Sequence, residues 1–310
     1  MYVKSPGMFT TVQDLGRPGF GPMGVSASGA ADSFALRIAN RLLNNSESCA
    51  ALEMTLLGGA FSFDRDTVAS VTGSDFGPTL DGQPVALWST FPIRAGQTLA
   101  FGPTRSGARC YLAVQGGFFV PLFLGSASTH ILSGLGGLGG RALRKGDTIA
   151  IGDSSMQFQP RSVAPAALQK LSPRKTIRVT PGPQESWFAT NALPVFYEGT
   201  YRVTEESNRM GLRLDGPSPL TEPRRQMVTE PVCLGAIQIP PAGQPIILFV
   251  EQQTTGGYPN IANVISADLP SVGQLRPRDE IRFEQVSAAQ ARTLICEQEQ
   301  LLRSRELCLP

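Results

Sequence analysis

Short strand-like runs dominate the chain, at residues 51–63, 66–75, 201–204, 236–239 and 246–251. Turn signals separate them at spacings of roughly 8–12 residues, the pattern of an all-β sandwich or barrel. Asp81-Gly82 sits at the centre of a hairpin signal over residues 80–83. Helical spacing is convincing in two places. Ala35, Ile38, Ala39 and Leu42 fall at i, i+3, i+4 and i+7, with Asp32 or Ser28 placed to cap the start and Asn44 to end it. Near the end, Ala288, Ala291, Leu294 and Ile295 share one face after a cap at Ser287, which predicts a helix to about residue 303. A short helix is expected near 185–191.

One pattern recurs three times. A polar turn and an alternating strand occupy residues 93–101, 143–151 and 275–283. The third copy lies late in the second half, so the halves are expected to share a fold. Residues 154–175 are poor in pattern and hold Pro160, Pro165 and Pro173, which reads as a linker. The division is therefore one domain over 1–155, a linker over 156–175 and a second domain over 176–310.

Composition narrows the class. Of 310 residues, 41% are apolar and 17% charged, a globular balance. The 33 glycines and 25 prolines fit many turns between short strands. A net charge of +2 argues against nucleic acid as a partner. Five scattered cysteines without a CxxC pair read as reduced thiols of a cytoplasmic protein, not as a disulfide frame or a zinc site. No signal peptide is visible at the start. The greasiest run, 111–125, is broken by glycines and a proline and falls short of the ~20 residues of a membrane span.

Candidate chemistry collects in three polar, glycine-bearing segments. Residues 10–45 place Gln13, Asp14, Arg17, Ser28 and Asp32 around a glycine-rich loop that runs into a helix N-terminus, a setting suited to an anionic small molecule. Residues 205–214 set Arg209 beside a turn, where a guanidinium could hold a carboxylate in bidentate fashion. Residues 251–259 carry Gln253, Thr254, Thr255 and Tyr258 on a glycine turn that leaves an apolar strand. For each segment, a purely structural turn is the competing explanation. Residues 134–139 fit GxGxxG by letter, but no helix is expected after them, so the nucleotide fingerprint is rejected in favour of a flexible loop. His130, the one histidine, reads as an exposed loop residue.

The segments TTVQDLGRPGF, SASGAADSFALRIAN, LEMTLLGG, YLAVQGGF, GSAST, RMGLRLDG, GAIQIPPAGQPIILF and QQTTGGYPNIANVISADL occur in this order. Together they closely resemble the family of the bacterial 5-oxoprolinase C subunit, allophanate hydrolase subunit 2 and the carboxyltransferase domain of urea carboxylase. The resemblance implies a mainly β fold of two cyclophilin-like β-barrel subdomains with a few short helices. It implies a cytoplasmic, ATP-dependent enzyme that opens 5-oxoproline to glutamate, with the 5-oxoprolinase B and A subunits as partners and ATP as co-substrate of the complex. On that reading the ten residues named above contact substrate, Arg17 or Arg209 holds its carboxylate, and the chain is inactive alone. Two alternatives stay open. One is a biotin-dependent carboxyltransferase subunit served by a separate biotin carrier; the other is a non-enzymatic antagonist of a kinase inhibitor. The chain departs from the family pattern at Asn208, where Asp is usual, at Thr229-Glu230-Pro231, and at Glu251, again in place of Asp.

Overall fold

The computed structural model describes residues 1–153, 158–216, 227–304 and 307–309. The chain forms two compact units: Met1–Arg17 with Ser28–Leu171 and Leu301–Pro310, and Pro18–Ala27 with Ser172–Gln300. The boundary expected at residue 155 falls within 154–157, outside the described residues. The remainder of the expected linker is ordered structure, with a strand at Ser162–Val163 and a helix at Pro165–Lys170. A two-residue strand is too short to show a period. Pro165 opens its helix, where a missing N–H costs nothing, so a residue read as a breaker is a helix start.

The first unit is built on two sheets. The larger runs, in spatial order, Phe9–Gln13, Ala51–Thr55, Arg109–Val114, Thr67–Gly73, Ser89–Ile93, Ser162–Val163 and Cys308–Leu309. The smaller runs Tyr2–Ser5, Ala60–Ser62, Thr98–Ala100, Thr79–Leu80 and Gln83–Pro84. Val3, Phe61 and Leu99 of the smaller sheet share one buried core with Val12, Leu52, Val71 and Leu112 of the larger. Burying a side chain of this kind is worth about 1.5–3 kcal/mol. Helix Ser33–Leu42 covers the other face of the large sheet, packing Ala35, Leu36 and Ala39 with Ala51, Tyr111 and Ala113. Strand Arg109–Val114 is thus buried on both faces, which is why it reads as a continuous apolar run.

The second unit is a closed seven-stranded barrel. Its order is Thr176–Pro181, Asn260–Val264, Ala236–Gln238, Ile246–Leu248, Gly211–Asp215, Tyr201–Val203 and Glu280–Gln285. The last strand closes on the first in parallel register, Thr176 opposite Arg282. Phe196 stacks on Phe283 with ring centroids 4.6 Å apart, and Tyr201 lies 5.5 Å from Phe283. Phe196 comes from helix Ala192–Glu198, which starts later than the short helix expected near 185–191; only a 3-10 turn, Glu185–Trp187, lies there. Pro194 masked this helix in the sequence, yet it occupies the first turn, where proline is tolerated. The C-terminal helix spans Ala288–Arg303, and Ser287 Oγ accepts from Gln290 N at 3.2 Å, as the capping pattern predicts.

The threefold repeat folds the same way each time. The amides of Arg94, Arg144 and Arg276 donate to the side chains of Gln97, Asp147 and Asp279, three residues on, at 2.7–2.8 Å. Two of the copies lie in the first unit and one in the second.

Candidate functional site

Strand Phe9–Gln13 carries Asp14 to its end and buries it. The Asp14 carboxylate accepts from Gly16 N (2.7 Å), Ser126 Oγ (2.7 Å), Ala127 N (2.6 Å) and Ser128 Oγ (2.5 Å). Gln13 Nε2 donates to Thr11 Oγ1 and Thr129 O, and Ser28 Oγ donates to Thr129 O at 2.8 Å. Arg17 is only 1% exposed. Its Nη2 donates to Ser128 O, its Nε to Phe123 O at 3.4 Å, and its guanidinium lies 5.5 Å from the Phe123 ring centroid. Asp32 caps helix Ser33–Leu42 by accepting from Ala35 N at 2.9 Å. All five first-half candidates are therefore buried and bonded to the segments around them. Asp14 and Arg17 both bond to the 123–128 segment, Asp14 at Ser126, Ala127 and Ser128 and Arg17 at Phe123 and Ser128.

The residues that complete this frame carry little mark in the sequence. Ser126 and Ser128 sit in a polar loop to which the sequence assigns no role. Glu53, fully buried on strand Ala51–Thr55, accepts from Tyr111 OH at 2.7 Å and from Ala31 N at 2.8 Å. Tyr111 OH in turn accepts from Asp32 N at 2.7 Å. Burial, with the negative charges of Glu53 and Asp32 added to it, holds the Tyr111 phenol well above its usual pKa. The one signal for this network is a glutamate inside an otherwise apolar strand.

The middle of the glycine run is closely packed. A Cβ on Gly137 would lie 2.0 Å from Thr129 Oγ1, and one on Gly136 would lie 2.2 Å from Ser128 O. Both residues have positive φ. His130, expected on an exposed loop, is buried; its Nδ1 accepts from Ser133 N at 3.2 Å. Adjacent backbone approach is what excludes side chains here, and the sequence pattern alone does not distinguish that from flexibility.

In the second unit, Arg209 and Glu251 form a buried ion pair at 2.5 Å, and the Glu251 amide donates to Arg209 O. Asn208 Oδ1 accepts from Met210 N at 2.8 Å, closing the turn before strand Gly211–Asp215. Asparagine serves this turn as aspartate would. After Glu251 the chain reverses through Gln253, Thr254 and Thr255, and Thr255–Gly256 pairs with Glu230–Pro231. Gln238, buried on strand Ala236–Gln238, supports this reversal from below. Its Nε2 donates to Tyr258 O at 3.2 Å and its Oε1 accepts from Gln253 Nε2 at 3.4 Å. A Cβ on Gly256 would meet Gln238 Nε2 at 2.5 Å. Gln184 adds a second amide, donating to Glu230 Oε1 at 2.7 Å and accepting from Asn260 N. Above this amide floor Thr255 and Tyr258 are exposed, while Gln253 and Thr254 are half-buried.

The ten candidates thus divide into different roles. Gln13, Asp14, Arg17, Ser28 and Asp32 form a buried frame, and Arg209 is ion-paired. Gln253, Thr254, Thr255 and Tyr258 present hydroxyl and amide groups on a turn braced by Gln238. Cys233 follows strand Glu230–Pro231 and is exposed, its Sγ donating to Asn263 Oδ1 at 3.3 Å. Among the described residues no group of three His, Cys, Asp or Glu side chains could hold a metal ion. The five cysteines are free. No helix among the described residues is long and apolar enough to cross a membrane.

Residues 23–285 match the family described as carboxyltransferase domain, subdomain A and B. The chain is 38% identical to the 5-oxoprolinase C subunit of Haemophilus influenzae, over 92% of this chain and 90% of that protein. It is 39% identical to the 5-oxoprolinase C subunit of Escherichia coli, over 92% of this chain and 91% of that one. Among solved structures, the urea amidolyase of K. lactis superposes with a TM-score of 0.90 at 32% identity. That match covers all of this chain but only 20% of the larger protein.

Proposed function

This chain belongs to the family of carboxyltransferase domains with subdomains A and B, and on that premise we propose that it is the C subunit of an ATP-dependent 5-oxoprolinase. The observation that carries the reading is end-to-end similarity: 38–39% identity to two proteins of that name, over nine-tenths of their length as well as its own. Its similarity to urea amidolyase, by contrast, is to one-fifth of a longer chain.

Opening the lactam of 5-oxoproline to glutamate needs polarisation of the ring carbonyl and an oriented water. We assign Gln253, Thr254, Thr255 and Tyr258 to substrate contact. Their amides and hydroxyls suit a ligand that presents an amide N–H, a carbonyl and a carboxylate. Arg209, neutralised by Glu251, steadies this turn; Arg17 and Asp14 frame the first unit. Of the chain's GxGxxG letters, Gly136 is packed against backbone, and turns follow where a phosphate-binding loop needs a helix, so they do not fit a nucleotide. ATP therefore belongs to the partners, homologues of the 5-oxoprolinase B and A subunits, and the isolated chain neither hydrolyses ATP nor opens 5-oxoproline. The compartment is the cytoplasm.

The second reading, biotin-dependent carboxyl transfer, rests on the urea amidolyase likeness. Offering the assembled subunits 5-oxoproline with ATP, and separately carboxybiotin with urea, discriminates between them. Glutamate release in the first reaction is expected. Carboxyl transfer in the second with no glutamate in the first would move the assignment.

A further inference from the structure

From Gln115 to Gly140 the chain has no Asp, Glu, Lys or Arg. At the chain's overall 17% charge, a run of 26 residues would carry about four. Such a run belongs in a core, yet this one brings large apolar side chains to the surface of the first unit. Phe119, Leu122 and Leu132 are 61%, 65% and 62% exposed, and Leu124 is exposed as well. Together these four side chains, within 14 residues of chain, offer on the order of 400 Å² of apolar surface, an amount comparable to a functional patch on a soluble protein.

The patch is held in shape. Phe123 and Ser126 bond to each other through both main-chain pairs, at 2.9 and 3.1 Å, which fixes the 122–126 turn. His130 and Leu135 do the same, at 2.8 and 3.1 Å, around Leu132. Arg17 donates to Phe123 O in the first turn and to Ser128 O between the two turns. Gly136, just after the second turn, runs so close to Arg17 that a Cβ added there would meet its Nη2 at 2.8 Å. Apolar side chains held in water by fixed turns are a costly arrangement unless they are covered.

We propose that the uncharged 115–140 segment is the docking face for another protein subunit of the same enzyme, one that presents an uncharged apolar surface in return. This rests on the reading above that the chain works inside a multi-subunit 5-oxoprolinase. A protein partner is favoured because the relatives are either one lettered subunit or a fraction of a much longer chain. In both settings this domain has protein neighbours. The area is right for the centre of an interface, since a standard one buries about 800 Å² on each partner around an apolar core. The absence of charge predicts binding that does not weaken with salt, since there are no charges to screen.

The test uses the full chain and a purified homologue of the 5-oxoprolinase B subunit, with affinity measured by titration calorimetry at low and high salt. Leu122→Asp and Leu132→Asp, both exposed, should leave the melting temperature unchanged. Each should weaken the complex about tenfold and together about a hundredfold, as loss of two central apolar anchors does. Met8→Asp, an equally exposed apolar position outside the segment, is the control and should bind as the parent does. Undiminished binding by the double variant overturns the proposal and leaves the 5-oxoprolinase reading standing. A complex that the double variant breaks, in subunits that release no glutamate, supports the docking face and defeats the functional reading. A dimer of this chain that the same variant dissolves, with no binding to the B-subunit homologue, assigns the patch to a second copy and overturns the proposal.

Discussion

Arg17 and Thr255 are both candidate contact residues, but they sit in opposite surroundings. Arg17 is buried and holds two main-chain carbonyls, whereas Thr255 is exposed on a supported turn. Removing the donor from a buried carbonyl costs about 1–3 kcal/mol. Arg17→Ala is therefore expected to lower stability by at least about 2 kcal/mol, seen as a clear drop in thermal midpoint. A midpoint equal to the parent's would return Arg17 to the substrate. Thr255→Ala should keep stability within about 0.5 kcal/mol, as exposed substitutions do, while the assembled enzyme loses activity. Full activity in that variant would remove the turn from the site. Tyr111 gives a pH test. Its folded pKa is raised above the unfolded value near ~10, so the stability it contributes is whole below that pH and is lost as pH rises through the folded value. Tyr111→Phe should lose about 1–3 kcal/mol at neutral pH, and should also show a shallower alkaline decline in thermal scans.

At the scale of elements, the glycine-rich turns set the geometry. Gly137→Ala would place a methyl 2.0 Å from Thr129 Oγ1 at a positive φ, so it should destabilise the first unit by about 1–3 kcal/mol. A neutral effect in chemical denaturation would contradict the packed reading. The elements most legible in the sequence were those with a period and a cap: helix Ser33–Leu42 with Asp32, and helix Ala288–Arg303 with Ser287. The threefold repeat was legible too, because its turn uses a side chain three residues on. Helix Pro165–Lys170 and helix Ala192–Glu198 were not, because proline in a first turn reads as a breaker. The roles of Asp14 and Arg17 were not legible either. Their partners, Ser126 and Ser128, lie more than a hundred residues away. Gln238 was hidden for the same reason, and only its polarity inside an apolar strand marked it.

On the scale of the whole molecule, the division into two units did not follow the chain's midpoint alone. Residues 18–27 group with the second unit and residues 301–310 with the first. Ser26 Oγ donates to Val250 O at 3.1 Å within the second unit. Such exchanges leave no local mark in composition. Acid stability offers a further check. The hydrogen bonds from Arg141 hold the Asp147 carboxyl below its usual pKa. The stability this pairing contributes is present above the unfolded value near ~4 and lost as pH falls through the folded value. Asp147→Asn should therefore be less stable than the parent at neutral pH, with the gap closing in acid. A gap that persists unchanged at low pH would show that the turn, not the charge, matters.

As the C subunit, this chain would be a required but non-autonomous part of a 5-oxoprolinase. The direct measurement is glutamate released from 5-oxo-L-proline and ATP by the three purified subunits, with each left out in turn. Release is expected from the complete mixture, and none when this chain is omitted or supplied alone. Glutamate formed by this chain alone, or formed equally well without it, would show that the chain is not a required, non-autonomous subunit.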